Sequence, residues 1–137
     1  QYNDAFIRQL RALRGADGAA ITKLSGVLEQ IVEDACSGNA EYGCLTVNAL
    51  LELSRHDADI SARLRGYNAR DRKALAWLVR DALAEGDVST ARDPNQIASF
   101  VVNNIWGMRV MCKSRPDRSS LDAIVDGVLN GLRSRAT

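Results

Sequence analysis

Apolar residues in this chain recur every three or four positions, and no stretch sustains the strict alternation of a half-buried strand. That spacing restricts the chain to helices whose apolar stripes must be buried against one another. At 137 residues, 46% of them hydrophobic, the stripes suffice for one packed domain, expected to span 1–137. Two prolines and ten glycines are too few for linkers or disordered bulk. No apolar run approaches the roughly 20 residues of a membrane span, and no basic-then-apolar leader opens the chain, so a cytoplasmic protein without membrane partners is expected. Eighteen Lys and Arg against 17 Asp and Glu leave a net charge of +1, without the excess of an autonomous nucleic-acid-coating module. Aromatics, at 5%, are too few for base-stacking platforms.

The pattern predicts an all-α fold of about six helices. Phe6, Leu10 and Leu13 place the first over 3–14. Gly15 and Gly18 break it, and Asp17 is the expected cap of the second. That helix carries Ile21, Leu24, Val27, Leu28, Ile31, Val32 and Ala35 on one face, with Lys23, Glu29 and Glu33 away from it, and ends at Ser37-Gly38-Asn39. Residues 42–54 are apolar on almost every side, including Cys44, Leu45, Leu50 and Leu53, which predicts a short buried helix. Asp57 opens a long helix to about Glu85, with Ile60, Leu64, Tyr67, Leu75, Leu78 and Ala82 stacked on one side and Gly86-Asp87 as its stop. Asp93-Pro94-Asn95-Gln96 is the clearest start signal, with a cap, a proline at the first helical position and a Gln three residues beyond the cap. Its helix is expected to reach about Lys113. Beyond Pro116, Ser119-Ser120-Leu121-Asp122 has the form of another capping box, and the last helix carries Leu121, Ile124, Val125, Val128 and Leu132 in a narrow stripe.

The penultimate helix has two apolar faces. Ile97, Val101, Ile105, Met108 and Cys112 form one; Val102, Trp106 and Val110 lie roughly opposite. An edge helix of a monomeric bundle needs only the first, so the second must meet another part of the fold or another chain. The expected outcome is a homodimer whose last two helices form a four-helix seam through Val102, Trp106, Val110, Leu121, Val125, Val128 and Leu132. Gly107, Gly127 and Gly131 would then allow close backbone approach. The alternative makes Trp106 a core residue and the glycines incidental.

Several polar residues fall on apolar faces. Asp71 lies within the stripe of Leu64, Tyr67, Leu75 and Leu78, Asn104 sits beside Val101, Ile105 and Met108, and Thr46 and Asn48 interrupt the short helix. A buried polar group without a partner costs roughly 1–3 kcal/mol, so each needs a bond from protein, water or ligand. Asn48, Tyr67, Asp71, Asn104 and Met108 are therefore the candidate lining of a small-molecule pocket. Asp71 has Arg63, Arg70 and Arg72 as alternative partners. Trp77 points away from the stripe and serves either packing or a ligand.

Catalytic and metal-binding patterns are weak. Cys36, Cys44 and Cys112 form no CxxC and leave one thiol over under any pairing, so they read as reduced thiols packed as small hydrophobes, with a Cys36–Cys44 redox pair as the alternative. The lone histidine, His56, reads as part of a solvated turn rather than a metal corner, since zinc sites take three or four N or S ligands. No nucleophile elbow, phosphate-cradling glycine loop or paired-histidine motif is present, and neither enzyme activity nor a cofactor or metal is expected.

The run Tyr42-Gly43-Cys44-Leu45-Thr46-Val47-Asn48 through Glu52-Leu53, the long helix after His56-Asp57, Asp93-Pro94, and Gly107-Met108-Arg109-Val110 together resemble the C-terminal domain of TetR-family transcriptional regulators, from about Phe6 to Leu132. The resemblance implies an effector-binding and dimerisation domain, with an unknown small-molecule effector. In that family a helix like 1–14 joins the domain to an N-terminal helix-turn-helix that reads an operator, and an effector alters the spacing of the two reading heads. This chain begins at Gln1 rather than Met, which reads as a fragment, and DNA is a partner only through the missing helix-turn-helix. The resemblance places the pocket among the middle helices and the dimer on the last two. Asp71, where relatives are expected to be apolar, points to a cationic or hydrogen-bond-donating effector group. A dimeric helical scaffold without a ligand is the alternative of a different class.

Overall fold

The computed structural model describes residues 2–37, 48, 52–53, 55–89 and 92–133. Among the described residues five α-helices are bounded, α1 (Tyr2–Arg14), α2 (Ala20–Ala35), α3 (Ala58–Ala84), α4 (Pro94–Met111) and α5 (Arg118–Leu132), with a 3-10 turn at Cys112–Ser114 after α4. The expected helix over 42–54 lies outside the described residues except at Asn48, Glu52 and Leu53, which are helical. Leu53, expected in the interior, is 44% exposed.

The helical stripes bury as their spacing predicts. Leu24, Val27, Leu28, Ile31 and Val32 of α2 meet Leu75, Leu78 and Ala82 of α3, Ile97, Val101, Ile105 and Met108 of α4, and Leu121, Val125 and Val128 of α5 in one core. α3 packs most extensively on α4, and α2 touches α3, α4 and α5. α1 lies against α3 with Phe6, Ile7 and Leu10 buried. No helix among the described residues is long and apolar enough to cross a membrane.

Three of the boundary signals work locally. Asp57 accepts from the backbone N–H groups of Asp59 at 2.9 Å and Ile60 at 3.1 Å, satisfying two of the donors that open α3. Asp93 accepts from Asn95 N–H at 2.7 Å, with Pro94 at the first helical position of α4. At the end of α3, Gly86 adopts φ 87°, and the N–H groups of Gly86 and Asp87 return to the carbonyls of Leu83 and Ala82 at 3.1 and 3.0 Å. That paired return is a Schellman stop, and its left-handed residue favours glycine.

Two starts differ from expectation. α2 is not capped by Asp17: its N-cap is Ala19, two residues further on, whose methyl accepts nothing. The Ala20 N–H instead donates to Glu85 Oε2 at 2.8 Å, from the far end of α3. A carboxylate there also complements the positive end of the helix dipole. Glu85→Ala is accordingly expected to destabilise the fold by about 1–2 kcal/mol, whereas Asp17→Ala should stay within about 0.5 kcal/mol; thermal melting of the two variants compares them. α5 begins at Arg118 rather than at the Ser119-Ser120 pair, because Asp117 takes the capping position and its carboxylate accepts from the hydroxyls of Ser119 and Ser120.

The expected roles of the α5 stripe and of one cysteine also change. Leu121, Val125, Val128 and Leu132 are all buried within the chain, so the narrow stripe is the inner face of α5 and leaves no surface for a second chain. Cys112 packs as expected, but Cys36 is exposed beyond the end of α2. His56 lies in an exposed turn.

The Arg118 guanidinium pairs with the Glu33 carboxylate, joining the start of α5 to α2, and its Nε lies 3.8 Å from Asp122. Arg118 holds the Glu33 carboxyl below its ordinary value, through a hydrogen bond first and charge second. A depressed carboxyl stabilises the fold above its unfolded value and loses that contribution as pH falls through the folded one. Both groups are more than half exposed, so salt screens the effect. Arg118→Ala is expected to return the Glu33 titration midpoint to the ordinary carboxylate range, as followed by NMR.

Candidate functional site

α3 and α4 present the polar groups that the sequence places on apolar faces. Tyr67 and Asp71 stand one turn apart on α3, and Asn104 and Met108 one turn apart on α4, the helix α3 packs against most closely. Asp71 is 2% exposed, a burial that an i,i+4 stripe of Leu64, Tyr67, Leu75 and Leu78 imposes on any residue in its middle. A carboxylate this deep persists only with compensating interactions, and Asp71 has them. Tyr67 is half-buried above it, toward the start of α3.

The α4 side is already occupied by the protein itself. Met108 is buried in the core, and Asn104 Nδ2 donates to the Phe100 carbonyl at 2.9 Å, one turn back on its own helix. Cys112 Sγ makes the same kind of return to the Met108 carbonyl at 3.2 Å. Asn48 is half-buried and helical, but its chain neighbours lie outside the described residues. Two recesses open among the described helices, about 130 Å³ between α1 and α2 and about 290 Å³ between α3 and α4, and none of the five expected lining residues faces either. Trp77 resolves to packing: the Arg14 guanidinium lies 5.6 Å from its ring centroid, and the ring rests against the core.

One buried charge escaped the sequence reading. Arg109 of α4 is 9% exposed, with its guanidinium 5.2 Å from the Phe6 ring centroid of α1, and it lines the recess between α1 and α2. Its place in the last turn of α4 suits the negative end of that helix, which is the only local signal for it. Phe6 and Arg109 lie more than a hundred residues apart, so no spacing rule connects them.

The outward side of α4 and α5 is different in kind. Val102 is buried within the chain and Trp106 half-buried, but Val110 is 40% exposed. Gly107, Gly127 and Gly131 are exposed, and a methyl group at any of them would meet no neighbouring atom within 4 Å. Among the described residues, therefore, none of these glycines sits at a close helix crossing. Among the described residues no group of three or more His, Cys, Asp or Glu is arranged to hold a metal.

Residues 20–128 match the family described as Tetracyclin repressor-like, C-terminal domain. No curated protein sequence matches the chain. Among solved structures, a cysteine mutant of the TetR family transcriptional regulator CifR, complexed with 26-bp double-stranded operator DNA, superposes with a TM-score of 0.76 at 22% identity. The superposition covers 95% of this chain and 66% of that one, so the chain spans just under two thirds of that regulator's length. At this identity the likeness establishes the all-helical fold.

Proposed function

Because the chain belongs to the tetracyclin repressor-like C-terminal domain family, we propose that it is the effector-sensing and dimerising half of a transcriptional regulator. The observation that carries the dimer is the set of outward positions on the last two helices: Val110 exposed and Trp106 half-buried on α4, with Gly107 of α4 and Gly127 and Gly131 of α5 all exposed. A helical glycine costs up to about 1 kcal/mol relative to alanine and no crossing among the described residues requires these three; a second copy packed on them supplies a reason. The proposed seam therefore keeps Trp106 and Val110 from the expected set and uses the outer face of α5.

Sensing is assigned to the α3–α4 side around Tyr67 and Asp71, with Asn48 completing it. An effector acts only through a difference in affinity between two dimer geometries, and a coupling of 1–3 kcal/mol suffices. Arg109 supplies a mechanical link, since a shift of α4 moves its guanidinium against Phe6 of α1, the helix that would lead to an operator-reading domain. DNA is contacted through that domain, and this one binds and signals without chemistry of its own. A ligand-free dimeric scaffold is the second reading, favoured by Asn104 satisfying itself on the Phe100 carbonyl.

Native mass spectrometry of the protein exposed to a metabolite extract tests the sensing role. A non-covalent small-molecule adduct that Asp71→Leu loses and Glu29→Ala, at an exposed position of α2 outside both recesses, keeps is the expected result. Protein that takes up nothing, or an adduct indifferent to Asp71, overturns sensing and leaves the scaffold.

A further inference from the structure

The 290 Å³ groove between α3 and α4 has a chemistry that the sensing residues do not share. Arg72, Lys73 and Arg80 of α3 surround Ala76 on one side of it, and Asn95 and Ser99 of α4 close the other. All three cations are exposed, and none forms an ion pair with a described carboxylate. Asp93, the acid at the start of α4, has its Oδ1 engaged by Asn95 N–H. Ser99 donates its hydroxyl to the Asn95 carbonyl at 3.0 Å, so toward a ligand it offers lone pairs, and the Asn95 side-chain amide is the neutral donor of the groove. Three like charges within little more than two helical turns repel one another until an anion lies between them.

We propose that this groove binds a small phosphate-bearing polyanion, at a site separate from the residues around Tyr67 and Asp71. Two guanidinium forks present paired donors that match phosphate oxygens bidentately, and Lys73 adds a mobile point charge. The volume is that of a small ligand. A duplex backbone requires an extended basic stripe, which a chain of net charge +1 does not provide. The inference is independent of the regulatory reading, because it rests on the groove alone.

Isothermal titration of inorganic pyrophosphate into the protein, with citrate and a random-sequence duplex as comparison ligands, tests it. Pyrophosphate is expected to bind, more weakly at high salt, and the Arg72→Ala/Arg80→Ala double variant is expected to lose at least about tenfold in affinity with an unchanged circular dichroism spectrum. Arg65→Ala, which removes an exposed cation of α3 that reaches Ser61 instead, should leave binding intact. Absence of binding at millimolar pyrophosphate, an equal loss in Arg65→Ala, citrate binding as tightly as pyrophosphate, or a duplex that binds through these cations where pyrophosphate does not would each overturn the assignment.

Discussion

Val110→Asp is expected to leave the protomer folded and to weaken its self-association by roughly 30-fold or more. Val110 is 40% exposed on the outward side of α4, so a carboxylate there meets water in the isolated chain and does little to its stability. In a paired seam the same carboxylate would be desolvated without a partner, at a cost of roughly 2–5 kcal/mol. Gly127→Arg, on the outward side of α5, should act in the same direction by steric blockade and should raise the helix propensity of α5. Analytical ultracentrifugation of both variants, alongside circular dichroism, separates loss of pairing from loss of fold. Unchanged association in both would remove the outward side of α4 and α5 from the interface.

Leu10→Ala is expected to cost about 2–5 kcal/mol. Leu10 is fully buried where α1 meets the core, and it has Phe6 one turn away as its neighbour in the stripe. Removing its branched end leaves a cavity beneath the helix that would transmit the state of the domain. Thermal denaturation should show a fall of roughly 10 °C. Hydrogen exchange should show the protection of α1 falling more than that of α2, because α2 is held by three helices. A loss spread evenly over all helices would mean that α1 does not open separately from the core.

The parts of the fold that were legible in the sequence are those fixed within one or two turns. Asp57, Asp93-Pro94 and Gly86 each act on backbone groups no more than a few residues away, and each performs its expected role. The inward stripes of α2, α3 and α4 follow from the 3.6-residue period alone. The end of α3 that caps α2 was not legible, because Glu85 and Ala20 are 65 residues apart. The narrow stripe of α5 misled for another reason: a coiled-coil-like seam and the inner face of a bundle helix have the same spacing, and only the surrounding helices decide between them. For the site, the burial of Asp71 could be read from its position in the stripe. The return of Asn104 to its own helix could not, since the same side chain in another rotamer would face a cavity. Arg109 was the most deceptive, as an arginine near a helix end is ordinarily a surface residue.

Pairing through the outward side of α4 and α5 is the claim on which the regulatory account depends. Sedimentation equilibrium of the unaltered protein across the micromolar range measures it directly. The account predicts a mass of two copies, twice 14.9 kDa for this chain by itself, with dissociation only on dilution. A single-copy mass throughout that range would contradict it.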